Sequence, residues 1–144
     1  MLPHRPEYEP NDPDFAARVR EGFASQAVMA TLGIRIEALG PGWVEFDFAP
    51  PSGFTQQDGY LHAGVAATAL DSACGYAALT LTSPGIQVLT SGYKVDLVRP
   101  ANSDRYTARG WVVKPGRKLT VSSAELLGSD GRVVAIMTGT IVAL

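Results

Sequence analysis

The chain of 144 residues is poor in the residue types that support several common kinds of site. Its one cysteine, Cys74, cannot form a disulfide within the chain, and we expect a buried thiol in a reducing compartment. Two histidines and one cysteine are too few for the usual zinc sites, so we expect no metal. Asp71 interrupts the most apolar stretch, residues 65–81, which argues against a membrane span.

The N-terminus also lacks the apolar region of a signal peptide, so we expect a cytoplasmic protein. A net charge of -2 gives no electrostatic reason to expect nucleic acid as a partner. The charges are unevenly placed, however, because seven of the twelve cations lie between residues 94 and 118. This segment suits a small polyanionic ligand, and a solvated strand face would explain it equally well. The seven cations are Lys94, Arg99, Arg105, Arg109, Lys114, Arg117 and Lys118.

The length and the 46% hydrophobic content indicate one globular domain, which we place over residues 13–144 behind a flexible tail at residues 1–12. Asn11 or Asp12 followed by Pro13 predicts the start of a helix over residues 13–30, which Gly33 ends. A hairpin at residues 34–48 precedes a long loop at residues 49–61. Antiparallel strands are predicted at 86–98, 104–114, 118–127 and 132–143.

Between the loop and these strands, residues 63–81 are apolar on every side, which is typical of a buried helix. The order of elements is therefore a helix, a hairpin, a long buried helix and a series of strands. We predict an α+β fold in which a curved antiparallel sheet of five to six strands wraps around one central helix, with an extra helix at the N-terminus.

A lone carboxylate, Asp71, lies in the middle of this apolar helix. Burying an unpaired carboxylate is costly, so Asp71 is paired, neutralised or directed into a polar cavity. A catalytic carboxylate and a hydrogen-bonded residue at a subunit contact both fit this position.

The segment His62-Ala63-Gly64 precedes the helix, and its small residues would let a ligand approach the free backbone N–H groups. Such N–H groups can form an oxyanion hole, although small residues can also serve close packing alone. Asp71 lies nine residues after His62, about 13 Å along a helix and half a revolution away. The two features can therefore serve one carbonyl only if two chains meet, which predicts at least a dimer.

The segment His62-Ala63-Gly64-(x)6-Asp71-Ser72-Ala73 resembles the signature of hotdog-fold thioesterases of the phenylacetate-pathway (PaaI-like) branch, which are related to 4-hydroxybenzoyl-CoA thioesterases. Further similar segments follow in the same order, so the resemblance covers about residues 30–144. They are Thr90, Asp96–Ala101, Gly116–Leu119 and Asp130–Thr140.

The resemblance implies an acyl-CoA thioesterase that forms homodimers or homotetramers with active sites between subunits. It implies that Asp71 is the general base or nucleophile and that the Ala63 N–H polarises the thioester oxygen. Gln56 would orient the water or the carbonyl, and Thr90 would add a polar contact. Ala63 and Gln56 stand where the family usually has glycine and asparagine, which leaves the acyl preference open. His62 and Gly64 complete the candidate site.

The cations fit a CoA ester, because arginine and lysine bind phosphates well. Arg117 and Lys118 are the first candidates, followed by Arg99; CoA belongs to the substrate, so no separate cofactor is expected. Aromatic residues that could line the acyl pocket are Trp43, Phe54, Tyr60, Tyr76 and Tyr93.

Two other functions remain open from the sequence. A hydratase or dehydratase on the same fold would use Asp58 and His62 as an acid/base pair, but this leaves Asp71 unexplained. An acyl-CoA-binding module without catalysis is the other, and it would have no need of a base at Asp71.

Overall fold

The computed structural model of the chain describes residues 7–144, and it contains three helices and six strands. The central helix α3 has seventeen residues and follows the long loop, as predicted from its apolar sequence. The elements in chain order are α1 (Phe15–Ser25), α2 (Ala27–Leu32), β1 (Arg35–Gly40), β2 (Trp43–Phe48), α3 (Ala63–Leu79), β3 (Val88–Leu97), β4 (Tyr106–Lys114), β5 (Leu119–Gly128) and β6 (Val133–Ala143).

The six strands form one antiparallel sheet in the order β1-β2-β4-β5-β6-β3. The prediction of an antiparallel sheet around one long helix is confirmed, and the hairpin predicted at residues 34–48 is present as β1 and β2. The crossover that follows α3 places β3 beside β6, at the edge of the sheet. Strand β3 therefore has one side without a neighbouring strand among residues 7–144.

The helix α3 packs closely against the middle of the sheet because small residues face each other there. A Cβ atom on Gly110 of β4 would lie only 2.4 Å from the carbonyl oxygen of Ala73, so this position accepts no side chain. Cys74 of α3 is fully buried next to Gly139 of β6. The many alanines of α3 thus allow the sheet to approach the helix backbone, which fixes the position of Asp71 along the sheet.

The N-terminal helix differs from the prediction of one helix over residues 13–30. It is broken at Gln26, whose backbone is extended (φ -85°, ψ 98°), and Asp14, not Asn11 or Asp12, stands at its N-cap. The break has a tertiary cause, since the Gln26 side chain hydrogen-bonds to Ser72 and Tyr76 of α3. Gly33 ends α2 in the left-handed conformation, as predicted (φ 70°).

The segment before α1 and the helix α1 itself are fastened to the C-terminal end of α3. Arg18 donates to the carbonyl oxygens of Leu79, Thr82, Ser83 and Ile86, at 2.8–3.5 Å. The amide of Asn11 donates to the Leu81 carbonyl oxygen, and Asp12 lies 3.0 Å from the Arg18 guanidinium. The division into a tail (1–12) and a domain (13–144) stays a prediction, and residues 1–6 of that tail lie outside the described residues.

Within residues 7–144, no helix has both the length and the apolarity that a membrane crossing requires.

Candidate active site

The carboxylate of Asp71 accepts a hydrogen bond from the Thr90 hydroxyl at 2.7 Å. Asp71 lies at the middle of α3 and is partly exposed, while Thr90 lies near the start of the edge strand β3. Two candidate residues nineteen positions apart are thus in direct contact. The bond leaves the second carboxylate oxygen available, so Asp71 retains an acceptor for a proton or a lone pair for attack.

Asp71 opens into a groove of about 500 Å³ between α1, α3 and the start of β3. Its floor is the second half of α3, and its two walls come from α1 with Gln26 and from residues 87–90. The carboxylate therefore has access to a space large enough for an acyl group. The lining residues are Gly22, Ser25, Gln26, Asp71, Ser72, Gly75, Tyr76, Leu79, Gln87, Val88, Leu89 and Thr90.

The N-terminal end of α3 is exposed, and His62 is its N-cap. The imidazole Nδ1 of His62 accepts the backbone N–H of Gly64 at 2.9 Å. The N–H of the preceding residue, Ala63, makes no hydrogen bond with the described residues, and Ala63 itself is exposed. A helix N-terminus carries partial positive charge, so the Ala63 N–H is a suitable donor to a developing oxyanion.

Gln56 organises the loop that leads to this helix end. Its side-chain oxygen Oε1 accepts the backbone N–H groups of Asp58 (2.6 Å) and Tyr60 (3.1 Å). These bonds use the oxygen and leave the amide nitrogen Nε2 without a partner among the described residues. The loop therefore orients Gln56 as a hydrogen-bond donor near the start of α3.

The candidate residues form two groups within one chain. Asp71 and Thr90 are together, whereas Ala63 lies eight residues before Asp71, about 12 Å away along the helix. His62, Gly64 and Gln56 belong to the Ala63 group. One thioester carbonyl cannot contact both groups of the same chain.

The three candidate cations are also divided. Arg117 and Lys118 are exposed in the turn between β4 and β5, where Arg117 lines a cavity beside the C-terminal end of α3. Arg99 follows β3 at the opposite end of the sheet, and its guanidinium donates to the Val133 carbonyl oxygen at 2.6 Å. Arg99 lies nine residues after Thr90, up to about 30 Å along extended chain. Arg99 thus does not join the other two cations in one chain.

The alternative pair, Asp58 and His62, is not joined by a hydrogen bond or an ion pair in the described chain. Asp58 accepts only from the neighbouring Gln57 side chain (3.3 Å), and His62 Nδ1 is used by the helix cap. The geometry gives His62 a role in the helix start that the sequence did not predict.

Other reactive groups are inert or absent within the described residues. Burial raises the pKa of the Cys74 thiol to about 12, so it remains protonated at neutral pH. No cluster of three histidine, cysteine or acidic side chains in residues 7–144 could hold a metal ion.

One part of the groove was not predicted from the sequence. It precedes residues 30–144, the segment that resembles hotdog-fold thioesterases. Gln26 donates to the Ser72 hydroxyl (3.3 Å) and accepts from the Tyr76 hydroxyl (3.0 Å). Of the five aromatic residues considered for the acyl pocket, Tyr76 lines the groove that contains Asp71. An isolated glutamine has no distinctive sequence signal, so only the contact across 46 to 50 residues identifies Gln26.

Comparison with known proteins adds independent information. The family model described as the thioesterase superfamily matches residues 58–135, just over half of the chain. The crystal structure of a thioesterase family protein from Silicibacter pomeroyi has 50% sequence identity and a TM-score of 0.88, and the match covers 90% of this chain and 98% of that one.

Two more distant structures share the fold. The PaaI protein from the phenylacetic acid degradation operon of E. coli is 20% identical, with a TM-score of 0.83, covering 91% of this chain and 94% of that one. A thioesterase from Haemophilus influenzae is 23% identical, with a TM-score of 0.79 and coverage of 85% and 86%. Together these similarities confirm the predicted hotdog fold and the resemblance to thioesterases.

Proposed function

The chain belongs to the thioesterase superfamily, and we propose that it hydrolyses the thioester of an acyl-CoA or aryl-acyl-CoA to the free acid and CoA. The observation that carries the proposal is the Asp71 carboxylate, held by Thr90 and open to a groove on an otherwise apolar helix. A carboxylate in this setting can act as a general base toward water or as a nucleophile.

In this proposal the Thr90 hydroxyl positions the Asp71 carboxylate, and the carboxylate activates the attack on the thioester carbon. Attack moves negative charge onto the thioester oxygen, which the Ala63 N–H stabilises. The free Nε2 of Gln56 donates to the same oxygen or to the attacking water. When Asp71 acts as the general base, it holds the proton taken from water; collapse of the intermediate breaks the carbon–sulfur bond, this proton passes to the departing sulfur, and CoA leaves as a thiol and the acyl group as an acid.

Because Ala63 and Asp71 are about 12 Å apart, the site requires a second copy of the chain. A two-fold axis that crosses α3 near Ala67, midway between the two residues, would bring Asp71 of one chain to Ala63 of the other. The exposed side of α3 carries Gly64, Thr68 and Gly75 beside Asp71, and their small side chains allow close approach of another helix. The proposed enzyme is therefore a homodimer, or a tetramer built from such dimers.

The edge strand β3 supports this assembly. It has ten residues and three large apolar side chains that are exposed, and no strand of the described chain pairs with its outer side. Leu89, Tyr93 and Leu97 expose 60%, 51% and 43% of their surface, respectively. A long apolar edge strand is a ready template for pairing with another chain, and Thr90 lies on it.

The CoA moiety would contact the turn at Arg117 and Lys118. Thr120 on β5 and Thr90 on β3 lie at the same level of the sheet, with one strand between them. The turn before Thr120 is therefore at the end of the sheet where Thr90 contacts Asp71. Both side chains are exposed and have no ion-pair partner among the described residues, which leaves them available for phosphate. Arg99 could contribute only from the other subunit.

The test is turnover of a panel of acyl-CoA esters by Asp71→Asn, which keeps the size of the side chain and removes its charge. We expect a loss of at least about 100-fold in kcat with the oligomer intact. Asp58→Asn is the matched control, and it should keep near-normal turnover.

If instead the wild-type chain released no thiol but hydrated an enoyl-CoA, and this activity were lost in Asp58→Asn and kept in Asp71→Asn, the hydratase function would be supported. Tight binding of acyl-CoA by the wild-type chain with no thiol release from any ester would identify a binding module.

A further inference from the structure

A second cavity, distant from the groove of Asp71, has a wall that comes from the N-terminal segment. It has a volume of about 300 Å³ and lies between the turn that joins β4 to β5 and the C-terminal end of α3. Tyr8, Glu9 and Asn11 form its third side, which we call the Tyr8 wall. These residues precede residues 58–135, which match the thioesterase superfamily. The matching family segment therefore does not supply this wall.

Both sides of the cavity are held by the fold. The side-chain amide of Asn11 donates to the Leu81 carbonyl oxygen at 2.8 Å, which fastens the Tyr8 wall to the end of α3. On the other side, a Cβ atom on Gly116 would overlap the carbonyl oxygen of Leu119, so the turn is tight at this glycine. The next residue, Arg117, is exposed and lines the cavity. The aromatic wall and the cation thus face one space.

The uncharged part of the lining suits a flat aromatic group. Ala78, Leu81 and Pro115 make this part apolar, and the Tyr8 side chain is partly buried beside them. The Tyr8 ring makes no contact with another aromatic ring of residues 7–144. Because every nucleobase has a π-face, an available aromatic side chain is a common stacking partner for a base.

The charged part of the lining suits a nucleotide that carries adenine. Arg117 and the following Lys118 have no ion-pair partner in the described part of the chain, and such cations bind phosphate well. The Glu9 carboxylate is exposed and also lacks a partner among the described residues. A carboxylate repels phosphate but accepts hydrogen bonds, and the exocyclic amine of adenine is a donor. The two sides therefore fit a nucleotide with its phosphates at the turn and its base at the Tyr8 wall.

The cavity lies in the direction that a CoA ester would take from Asp71. Ala78 follows Asp71 by seven residues, close to two helical turns, so it is on the same side of α3 and about 10 Å farther along. The cavity continues past the end of the helix, beside Thr82. The pantetheine arm of CoA, from sulfur to phosphate, has as many bonds as the backbone of about four residues and spans about 15 Å when extended. A thioester at Asp71 would thus bring the nucleotide of CoA to this cavity.

We propose that the Tyr8 wall binds the adenine base of CoA, with Tyr8 stacking on the base and Glu9 accepting its exocyclic amine; this inference rests on the proposed thioesterase function. The base site adds to the phosphate contacts at Arg117 and Lys118. The preferred carrier of the acyl group follows from it. A CoA ester gains the base contacts, whereas the phosphopantetheine arm of an acyl carrier protein has no base. The chain therefore prefers CoA esters to carrier-protein esters.

The first experiment measures the binding of CoA and of 4′-phosphopantetheine by calorimetry, because neither ligand is consumed. Tyr8→Ala should weaken CoA binding by about 10-fold, as for the loss of one base–aromatic stack, and should leave phosphopantetheine binding unchanged. Tyr8→Phe keeps the ring and should bind CoA as the wild-type chain does. The acyl esters of the two carriers should show the same pattern in KM, with kcat unchanged.

Glu9 is tested with 1,N6-etheno-CoA, whose modified adenine has no hydrogen on the exocyclic nitrogen. The wild-type chain should bind CoA about fivefold more tightly than etheno-CoA, as for one hydrogen bond, and Glu9→Ala should show a ratio near 1. The ratio cancels the repulsion between Glu9 and the phosphates, which is the same for both ligands. Glu7→Ala is the matched control, since Glu7 is an exposed acidic residue of the same segment outside the cavity lining, and it should keep the wild-type ratio.

Equal losses of CoA and phosphopantetheine binding in Tyr8→Ala would show that Tyr8 supports the fold and not the base, and would overturn the inference. Unchanged CoA binding in Tyr8→Ala would overturn it as well, and so would a Tyr8→Phe variant as weak as Tyr8→Ala. A wild-type ratio in Glu9→Ala would contradict the contact to the amine. Failure of the proposed function is a separate result: if no ester is hydrolysed but CoA binding still depends on Tyr8, the base site is supported without thioesterase activity.

Discussion

The two ends of helix α3 differ in how the rest of the chain hydrogen-bonds to them. At the C-terminal end, the carbonyl groups of residues 79–86 receive hydrogen bonds from Arg18 and Asn11, which come from more than sixty residues away. At the N-terminal end, the described cap is local, because His62 accepts the N–H of a residue two positions later. The adjacent Ala63 N–H remains unpaired among the described residues.

This difference separates stability from chemistry along one helix. Every helix leaves N–H groups without partners at its start and carbonyl groups without partners at its end. Satisfying the carbonyl end with Arg18 fastens the N-terminal segment to the hotdog core. Leaving an N–H free at the other end preserves a donor for an oxyanion. Substitutions at the N-terminal end of α3, at Ala63 (the open end), should therefore affect turnover. Substitutions at the C-terminal end, where Arg18 binds (the fastened end), should affect folding.

The largest effect is expected from Ala63→Pro, which removes the unpaired N–H of the open end. Proline is tolerated at the first position of a helix, so the fold should survive. We expect turnover to fall by about 100-fold or more, as for the loss of one oxyanion-hole donor. The measurement is thiol release from the best acyl-CoA substrate, with circular dichroism as the control for folding.

Mixing this variant with Asp71→Ala tests whether the two groups of the site come from different chains. Each homodimer should be inactive, while a heterodimer has one site with both defects and one site with neither. Refolding equal amounts together gives about half heterodimers by random pairing, and so about a quarter of wild-type activity. Confirmed heterodimers without recovered activity would place both groups within one chain and would contradict the proposed assembly.

The next effect concerns the cations beside the fastened end of α3. Arg117→Ala with Lys118→Ala should raise KM for an acyl-CoA by about 10-fold, since two charge-assisted contacts to phosphate are lost. The same variant should leave KM for the corresponding N-acetylcysteamine thioester unchanged, because that substrate has no nucleotide phosphates. Equal changes for both substrates would show that phosphate recognition lies elsewhere.

Much of this architecture follows from local sequence patterns. The apolar run predicted the buried helix α3, and the one carboxylate within it identified Asp71 as a candidate site residue. Alternation of apolar and polar residues predicted the strands. A polar contact by Thr90 was expected only through the resemblance to thioesterases, and its partner was not specified. The structure shows Thr90 hydrogen-bonded to Asp71 at 2.7 Å, while the roles of the two residues stay a prediction.

Features that depend on long-range contacts were not predictable from local patterns. The apolar spacing of residues 13–30 favoured one continuous helix, but Gln26 gains two hydrogen bonds to α3 when the helix breaks there. No local pattern distinguishes Arg18 from the other cations of the sequence, although it binds four carbonyl oxygens. In both residues the partner is more than forty positions away, so local propensity carries no information about it.

A moderate loss of stability is expected from Arg18→Ala at the fastened end. The four carbonyl groups would lose a charged donor but could still meet water in part, so we expect a loss of about 2–3 kcal/mol. Arg20→Ala is the matched control, because Arg20 is exposed on the same helix. Urea denaturation should separate the two variants, and equal stabilities would contradict the capping role of Arg18. Turnover of Arg18→Ala well below its melting temperature should remain close to normal.

The smallest effect is expected at His62, the local cap of the open end. His62→Asn keeps a side-chain acceptor for the Gly64 N–H, since asparagine is a favourable N-cap residue. This variant should therefore retain most of the stability and most of the turnover of the wild-type chain. His62→Ala removes the acceptor and should cost about 1 kcal/mol, with a few-fold loss of turnover as the helix start and the Ala63 N–H become less ordered. The pair of variants separates positioning from acid/base chemistry, because only positioning is restored by asparagine. If His62→Asn were as inactive as Asp71→Asn, the imidazole itself would take part in the reaction, and the open end of α3 would supply a proton-transferring side chain as well as a backbone donor.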